Sequence, residues 1–237
     1  MKTDDTYRKT ATLVGVLYII GTVAGILSVV LTGPILAGPD YFMKISANQT
    51  RFIIGALCIL VMGLALVMIP MLMYPILKRW NEPLALGYIV FRGALETGFY
   101  IAMTVALLIL VPLSQAYGKA GAPDASSFQA LGTLVLAGRD ILDPLNAVIF
   151  PLGALMFYYL LYQSNLIPRW ISGWGLIGIV PFLAASLLVL FGYLDPMSSV
   201  RNLLYLPLAL QEMVMAVWLI VKGFNPSAIA SGSATGE

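Results

Sequence analysis

The chain has 237 residues, 60% of them hydrophobic and 10% charged, with a formal net charge of +2 and a mean hydropathy of +0.92. A soluble domain carries about 25% charged residues, so this composition excludes a water-covered surface and makes the chain an integral membrane protein. The small charge and the lack of a basic block exclude a nucleic-acid binder. The absence of histidine removes haem, zinc and di-iron chemistry that needs imidazole, and no cofactor or metal is expected.

Six apolar segments are long enough to span a bilayer: Ala11–Leu31, Phe52–Tyr74, Leu84–Val111, Asp143–Tyr162, Gly173–Tyr193 and Leu203–Val221. They must be helices, because lipid offers the backbone no hydrogen-bond partner and none shows the alternation of a barrel strand. The length suits one all-α six-helix domain over residues 1–224. The first segment follows Arg8 and Lys9 as a signal peptide would, but its apolar run exceeds the 7–15 residues of a signal core. It is read as a retained span.

Proline and glycine punctuate the gaps, with Gly33-Pro34 and Gly38-Pro39 after the first span, Glu82-Pro83 before the third and Asp195-Pro196 after the fifth. The longest gap holds a polar loop, Gly118–Ser127. The short apolar piece after it, Phe128–Ala137, is either an interfacial helix or the start of a long, proline-kinked fourth span. The Ser/Ala/Gly-rich tail 225–237 reads as disordered. Cys58, the single cysteine, lies inside an apolar run, so no intramolecular disulfide is possible.

Basic residues near the helix ends orient the chain. With both termini cytoplasmic, Lys2, Arg8, Lys9, Lys78, Arg79, Arg169 and Lys222 fall inside, against Lys44, Arg51, Lys119, Arg139 and Arg201 outside. Trp80, Trp170, Trp174 and Trp218 then all fall at one face, as an interfacial tryptophan band requires. Small residues recur on the first and third spans, including Gly21 and Gly25 as a GxxxG, which suits packing within the bundle. A homo-oligomer face is the alternative.

In the third span Tyr88, Arg92, Glu96, Tyr100 and Thr104 follow one another at i, i+4, a stripe on one side of a helix. Counted from Leu84, Arg92 lies ~12 Å and Glu96 ~18 Å into a ~30 Å hydrocarbon core. Glu212, beside Gln211 in the sixth span, has a similar depth. A charge at the bilayer centre costs roughly 2.5–3.5 kcal/mol, so these groups should face inward and pair. Arg92 is expected to pair with Glu96, Glu212 or both. One cation cannot fully compensate two carboxylates, so one of them should carry a proton or meet a bound cation. The cluster is read either as a clamp tying two helices together or as the lining of a polar cavity. In a second cluster Arg139, Asp143 and Asn146 share one helix face with Phe150, and Asp140 is adjacent. Pro144 after Asp143 looks like a first-turn proline, making this an interfacial N-cap with a local ion pair; the alternative is the outer lip of the same cavity.

The order and spacing of several short motifs resemble the bacterial membrane proteins grouped as domain-of-unknown-function family 4386. They are Tyr7-Arg8-Lys9-Thr10 leading into Gly15-Val16-Leu17-Tyr18, Arg92-x-x-x-Glu96, Leu166-Ile167-Pro168-Arg169-Trp170, and Glu212 followed by Trp218-Leu219-x-x-Lys222-Gly223-Phe224. The resemblance covers the chain up to Phe224 and implies a compact multi-pass protein of the bacterial inner membrane, with no assigned activity to carry over.

No GxSxG, HExxH, Walker or CxxC signature is present. The leading expectation is a non-catalytic solute- or ion-binding, transporter-like protein. Arg92 would bind an anionic group, Glu96 and Glu212 would hold a partner cation or proton, and Tyr88, Tyr100 and Gln211 would line the site. The partners are the lipid bilayer and a small solute, proton or lipid. The alternatives are an intramembrane enzyme acting on a lipid headgroup or isoprenoid phosphate, and a structural or assembly protein.

Overall fold

The computed structural model describes residues 2–119, 122–196 and 198–234, without the side chains of 2–4, 122–124 and 232–234. Every regular element is helical: α1 (Lys2–Leu36), α2 (Tyr41–Ala47), α3 (Gln49–Leu77), α4 (Glu82–Tyr88), a π-helical stretch (Ile89–Leu95), α5 (Glu96–Lys119), α6 (Ala122–Ser164), α7 (Arg169–Leu190), α8 (Ser199–Val221) and α9 (Pro226–Ala234). Among the described residues, six helical runs are long and apolar enough to cross a membrane, with α4, the π stretch and α5 forming one of them. The six apolar segments of the sequence are these six runs.

Local chemistry sets the ends. Asn81 begins α4 by accepting a hydrogen bond from Leu84 N–H at 3.0 Å, with a proline in the first turn. Ser198 caps α8 in the same way through Arg201 N–H. At the end of α1, Lys44 donates to Ala37 O at 2.7 Å and pairs with Asp40 at 2.8 Å.

Several expectations are corrected. The polar loop of Gly118–Ser127 is mostly helix: α5 runs to Lys119 and α6 begins at Ala122, with 120 and 121 outside the described residues. Phe128–Ala137 is not a separate interfacial helix, because α6 continues through it. Pro144 therefore lies inside a helix and opens none. A proline deletes one backbone donor without ending a helix that its lipid environment and neighbours hold. Pro34 likewise sits inside α1. The tail expected to be disordered carries α9 instead. Asn225 accepts from Ser227 N–H at 3.2 Å, its own N–H donates to Leu166 O at 2.8 Å, and Ala228 and Ile229 are buried. Asn225-Pro226 is a helix start, an Asn cap followed by a first-turn proline. Residues 235–237 lie outside the described residues.

The chain divides into two compact units. The first comprises Met1–Ile20, Ala65–Thr97 and Pro144–Glu237; the second comprises Gly21–Leu64 and Gly98–Asp143. The second unit is held by an apolar core that includes Ile35, Phe42, Phe52, Leu107 and Leu110. Its helices approach at glycines: a Cβ on Gly25 would stand 2.8 Å from Met62 Sδ. Gly25 of the GxxxG thus serves packing within this unit. The first unit packs in the same way, with Gly15 against the Ala216 carbonyl, Gly175 against the Tyr158 ring and Gly178 against Leu208. All four tryptophans belong to it.

Candidate functional site

Arg92, Glu96, Glu212, Tyr88 and Gln211 all lie in the first unit, and the structure joins Arg92, Glu96 and Glu212 in one ion-paired triad. Arg92 Nη1 stands 3.2 Å from Glu96 Oε1 and 3.1 Å from Oε2, while Nη2 donates to Glu212 Oε1 at 3.1 Å. Arg92 is 3% exposed and Glu96 1%; the Glu212 side chain, at 18%, is the one opening of the triad toward the surroundings. Arg92 thus pairs with both carboxylates.

The backbone that carries Arg92 is unusual. Over Ile89–Leu95 the helix widens to a π turn, and Glu96 N–H donates to Phe91 O, five residues back. Such stretches are rare inside α-helices and occur frequently at functional sites. Here the wide turn coincides with a close approach by α6. A Cβ on Gly153 would lie 2.9 Å from Arg92 N and 3.1 Å from Arg92 Cβ. Only a glycine lets the two backbones stand this close.

Aromatic rings complete the enclosure. The Arg92 guanidinium lies over the Phe150 ring, 4.3 Å from its centroid, a cation–π contact in a dry setting. Phe150 meets Phe182 edge-on at 5.0 Å, Phe182 stacks on Tyr205 at 4.0 Å, and Arg201 covers Tyr205 at 4.7 Å. A ladder of rings thereby links the buried arginine to the first turn of α8. Tyr88 stacks on Phe157 at 4.6 Å. Tyr18, Tyr88 and Tyr158 are each 1% exposed, and all three lie in the electrostatic reach of Arg92 and Glu212. Gln211 donates through Nε2 to Ile171 O at 3.0 Å. Its Oε1 and the Tyr158 hydroxyl are buried without a hydrogen-bond partner.

The remaining predicted residues lie elsewhere. Tyr100 belongs to the second unit, where a Cβ on Gly63 would stand 3.1 Å from it. Thr104 bonds the Tyr100 carbonyl there at 2.8 Å. Arg139, Asp140 and Asp143 are also in the second unit, Arg139 reaching its neighbour Asp140 at 3.4 Å with both side chains partly or largely exposed. Asn146 is in the first unit, buried, with an unpartnered Oδ1. Phe150, Tyr18 and Tyr158 were not among the expected lining residues. Tyr18 and Tyr158 carry no sequence signal beyond a tyrosine inside an apolar run, and Phe150 shared a face with Asn146 without pointing to Arg92.

Among the described residues no group of three or more His, Cys, Asp or Glu side chains is placed to hold a metal ion. The arrangement is instead one guanidinium between two carboxylates, ringed by phenols. Phe150 covers the guanidinium face, and both terminal nitrogens already serve carboxylates.

Residues 13–223 match the family described as Domain of unknown function (DUF4386). No curated protein and no solved structure matches the chain. The match covers most of the chain, which therefore belongs to this family.

Proposed function

We propose that this multi-pass DUF4386 protein is an ion-binding, transporter-like protein whose Arg92–Glu96–Glu212 triad takes up one proton or one monovalent cation. The observation that carries the reading is the charge count at the triad. Among the described residues the charged groups facing Glu212 are Arg92 and Glu96, so with both carboxylates ionised these three groups carry one net negative charge in a low-dielectric interior. Such a charge is costly enough to be neutralised. Glu212, the exposed corner, is where a proton or cation would enter. The Tyr18, Tyr88 and Tyr158 phenols lie within electrostatic reach of Glu212 and supply neutral oxygens suited to a monovalent ion or a hydrogen-bonded proton.

A cation or proton suits the site better than an anionic solute or a phosphate-bearing substrate, because both terminal nitrogens of Arg92 already face carboxylates and Phe150 covers the guanidinium face. The membrane is taken to be the bacterial cytoplasmic membrane with both termini inside, supported by the concentration of Arg8, Lys9, Lys78, Arg79 and Arg169 near the helix ends that carry Trp80 and Trp170.

The test is the purified chain in bilayer discs, compared with Glu212→Gln. In the parent we expect either an infrared carbonyl band of a protonated carboxyl or a melting temperature that rises with sodium or potassium. Glu212→Gln should fold and lose that signature. A parent with neither signature, and a Glu212→Gln variant that behaves identically, would leave only a helix clamp.

A further inference from the structure

The first unit has a second feature that the triad does not use. Three of the motifs noted in the sequence, Tyr7-Arg8, Leu166-x-Pro168 and Trp218-x-x-x-Lys222-Gly223-Phe224, converge at the C-terminal end of α8. They line two adjacent pockets of about 260 and 310 Å³, and both are bounded by Lys222, Gly223, Phe224 and Pro226. Tyr7 and Arg8 close the first, and Trp218 and Pro168 close the second.

The site is built rather than incidental. Arg8 Nη2 donates to the carbonyls of Ile220 at 2.8 Å and Val221 at 3.0 Å, the last oxygens of α8 that have no helical partner. Gly223 then turns with φ +76°, and a Cβ there would lie 2.8 Å from Arg8 Nη1. The position therefore needs glycine twice over, for its backbone and for the arginine beside it. Asn225 pins the turn to Leu166 O at 2.8 Å and Asn165 O at 3.3 Å. Lys222 is exposed, and among the described residues its ammonium has no ion pair or hydrogen bond. The rest of the wall is apolar: Phe224, Pro226 and Ile229. Outside it, Val217 is 54% and Val221 60% exposed on the α8 flank.

One cation held by the helix end, Arg8, and one cation free among the described residues, Lys222, over an apolar wall, at the end of a spanning helix that carries a tryptophan in its last turn, match an amphiphile with an anionic head. We infer that this pocket holds the headgroup phosphate of an anionic phospholipid, with Lys222 and Arg8 as its cations and the glycerol and upper acyl carbons against Phe224 and Ile229. A soluble phosphate would use the cations and leave the apolar wall idle. The inference is independent of the triad.

The experiment uses delipidated full-length protein, titrated with phosphatidylglycerol, phosphatidylcholine or inorganic phosphate and followed by native mass spectrometry and melting temperature. Phosphatidylglycerol should bind and raise the melting temperature. Lys222→Gln should bind it roughly fivefold more weakly, the effect of removing one juxtamembrane cation, with an unchanged melting temperature in phosphatidylcholine. Arg169→Gln, a nearby cation outside the pocket lining, should bind as the parent does. Arg8→Lys keeps the charge and loses the bidentate cap, so it separates folding from binding. Equal weakening in Lys222→Gln and Arg169→Gln would overturn the site in favour of diffuse surface charge. Displacement of the lipid by inorganic phosphate would overturn the lipid assignment.

Discussion

The second unit fills its centre with Ile35, Phe42, Ile45, Phe52, Leu107 and Leu110, and two of its buried hydroxyls bond carbonyls of their own helices, Thr32 on Ser28 and Ser114 on Val111. The first unit, made from helices of the same apolar composition, encloses Arg92, Glu96, Gln211 and three tyrosines. Apolar packing and close glycine contacts suffice for the one, so buried charge is not a requirement of packing this chain. Buried ion pairs are commonly no more stabilising than well-packed apolar residues of similar volume. The proposed ion binding draws on that contrast.

The sharpest way to break this contrast is to remove the cation. Arg92→Leu leaves two carboxylates enclosed without a partner and should cost about 3–5 kcal/mol, read from reversible unfolding in bicelles. Replacing Arg92, Glu96 and Glu212 together by leucine should recover most of that loss and abolish any proton or cation response. If the triple variant stays as unstable as Arg92→Leu, the triad is structural after all.

In the second unit Leu107→Ala should cost about 2–5 kcal/mol through the cavity it opens while leaving the ion response of Glu212 intact. Gly153→Val should cost about 1–3 kcal/mol by overpacking. Because it pushes on the Arg92 backbone, it should also alter the ion response, which Leu107→Ala does not. At the bottom of the scale, Lys44→Ala removes a partly exposed pair with Asp40 and should leave the melting temperature almost unchanged.

Much of this was legible before any coordinates. The six spans follow from run length, and Glu96 and Glu212 as candidate partners of Arg92 from i, i+4 spacing and matched depth. The π turn at Ile89–Leu95 was not legible, because no residue there demands it. It arises where Gly153 of α6 presses on Arg92, a contact between segments about sixty residues apart in the chain. Counting at regular α spacing placed Tyr100 on one stripe with Arg92, whereas it packs in the other unit. Pro144 misled for a related reason: proline is a reliable stop signal in water, where a broken helix can solvate its backbone, and a poor one in lipid. The start of α9 was written in Asn225-Pro226 but hidden by the low-complexity composition that follows it.

Taken alone, the sequence determines the membrane class, the all-α architecture, the six spans and the inventory of one cation against two buried acids. These depend on composition, run length and local spacing, which do not need distant contacts. Only the tertiary structure decides that Arg92 reaches Glu212, 120 residues away, that Phe150 covers its face, and that Arg8 caps α8 beside Lys222. Each of those contacts depends on which helices pack together and in what rotation. That choice is made by close-packing of side chains that are nearly interchangeable in hydropathy.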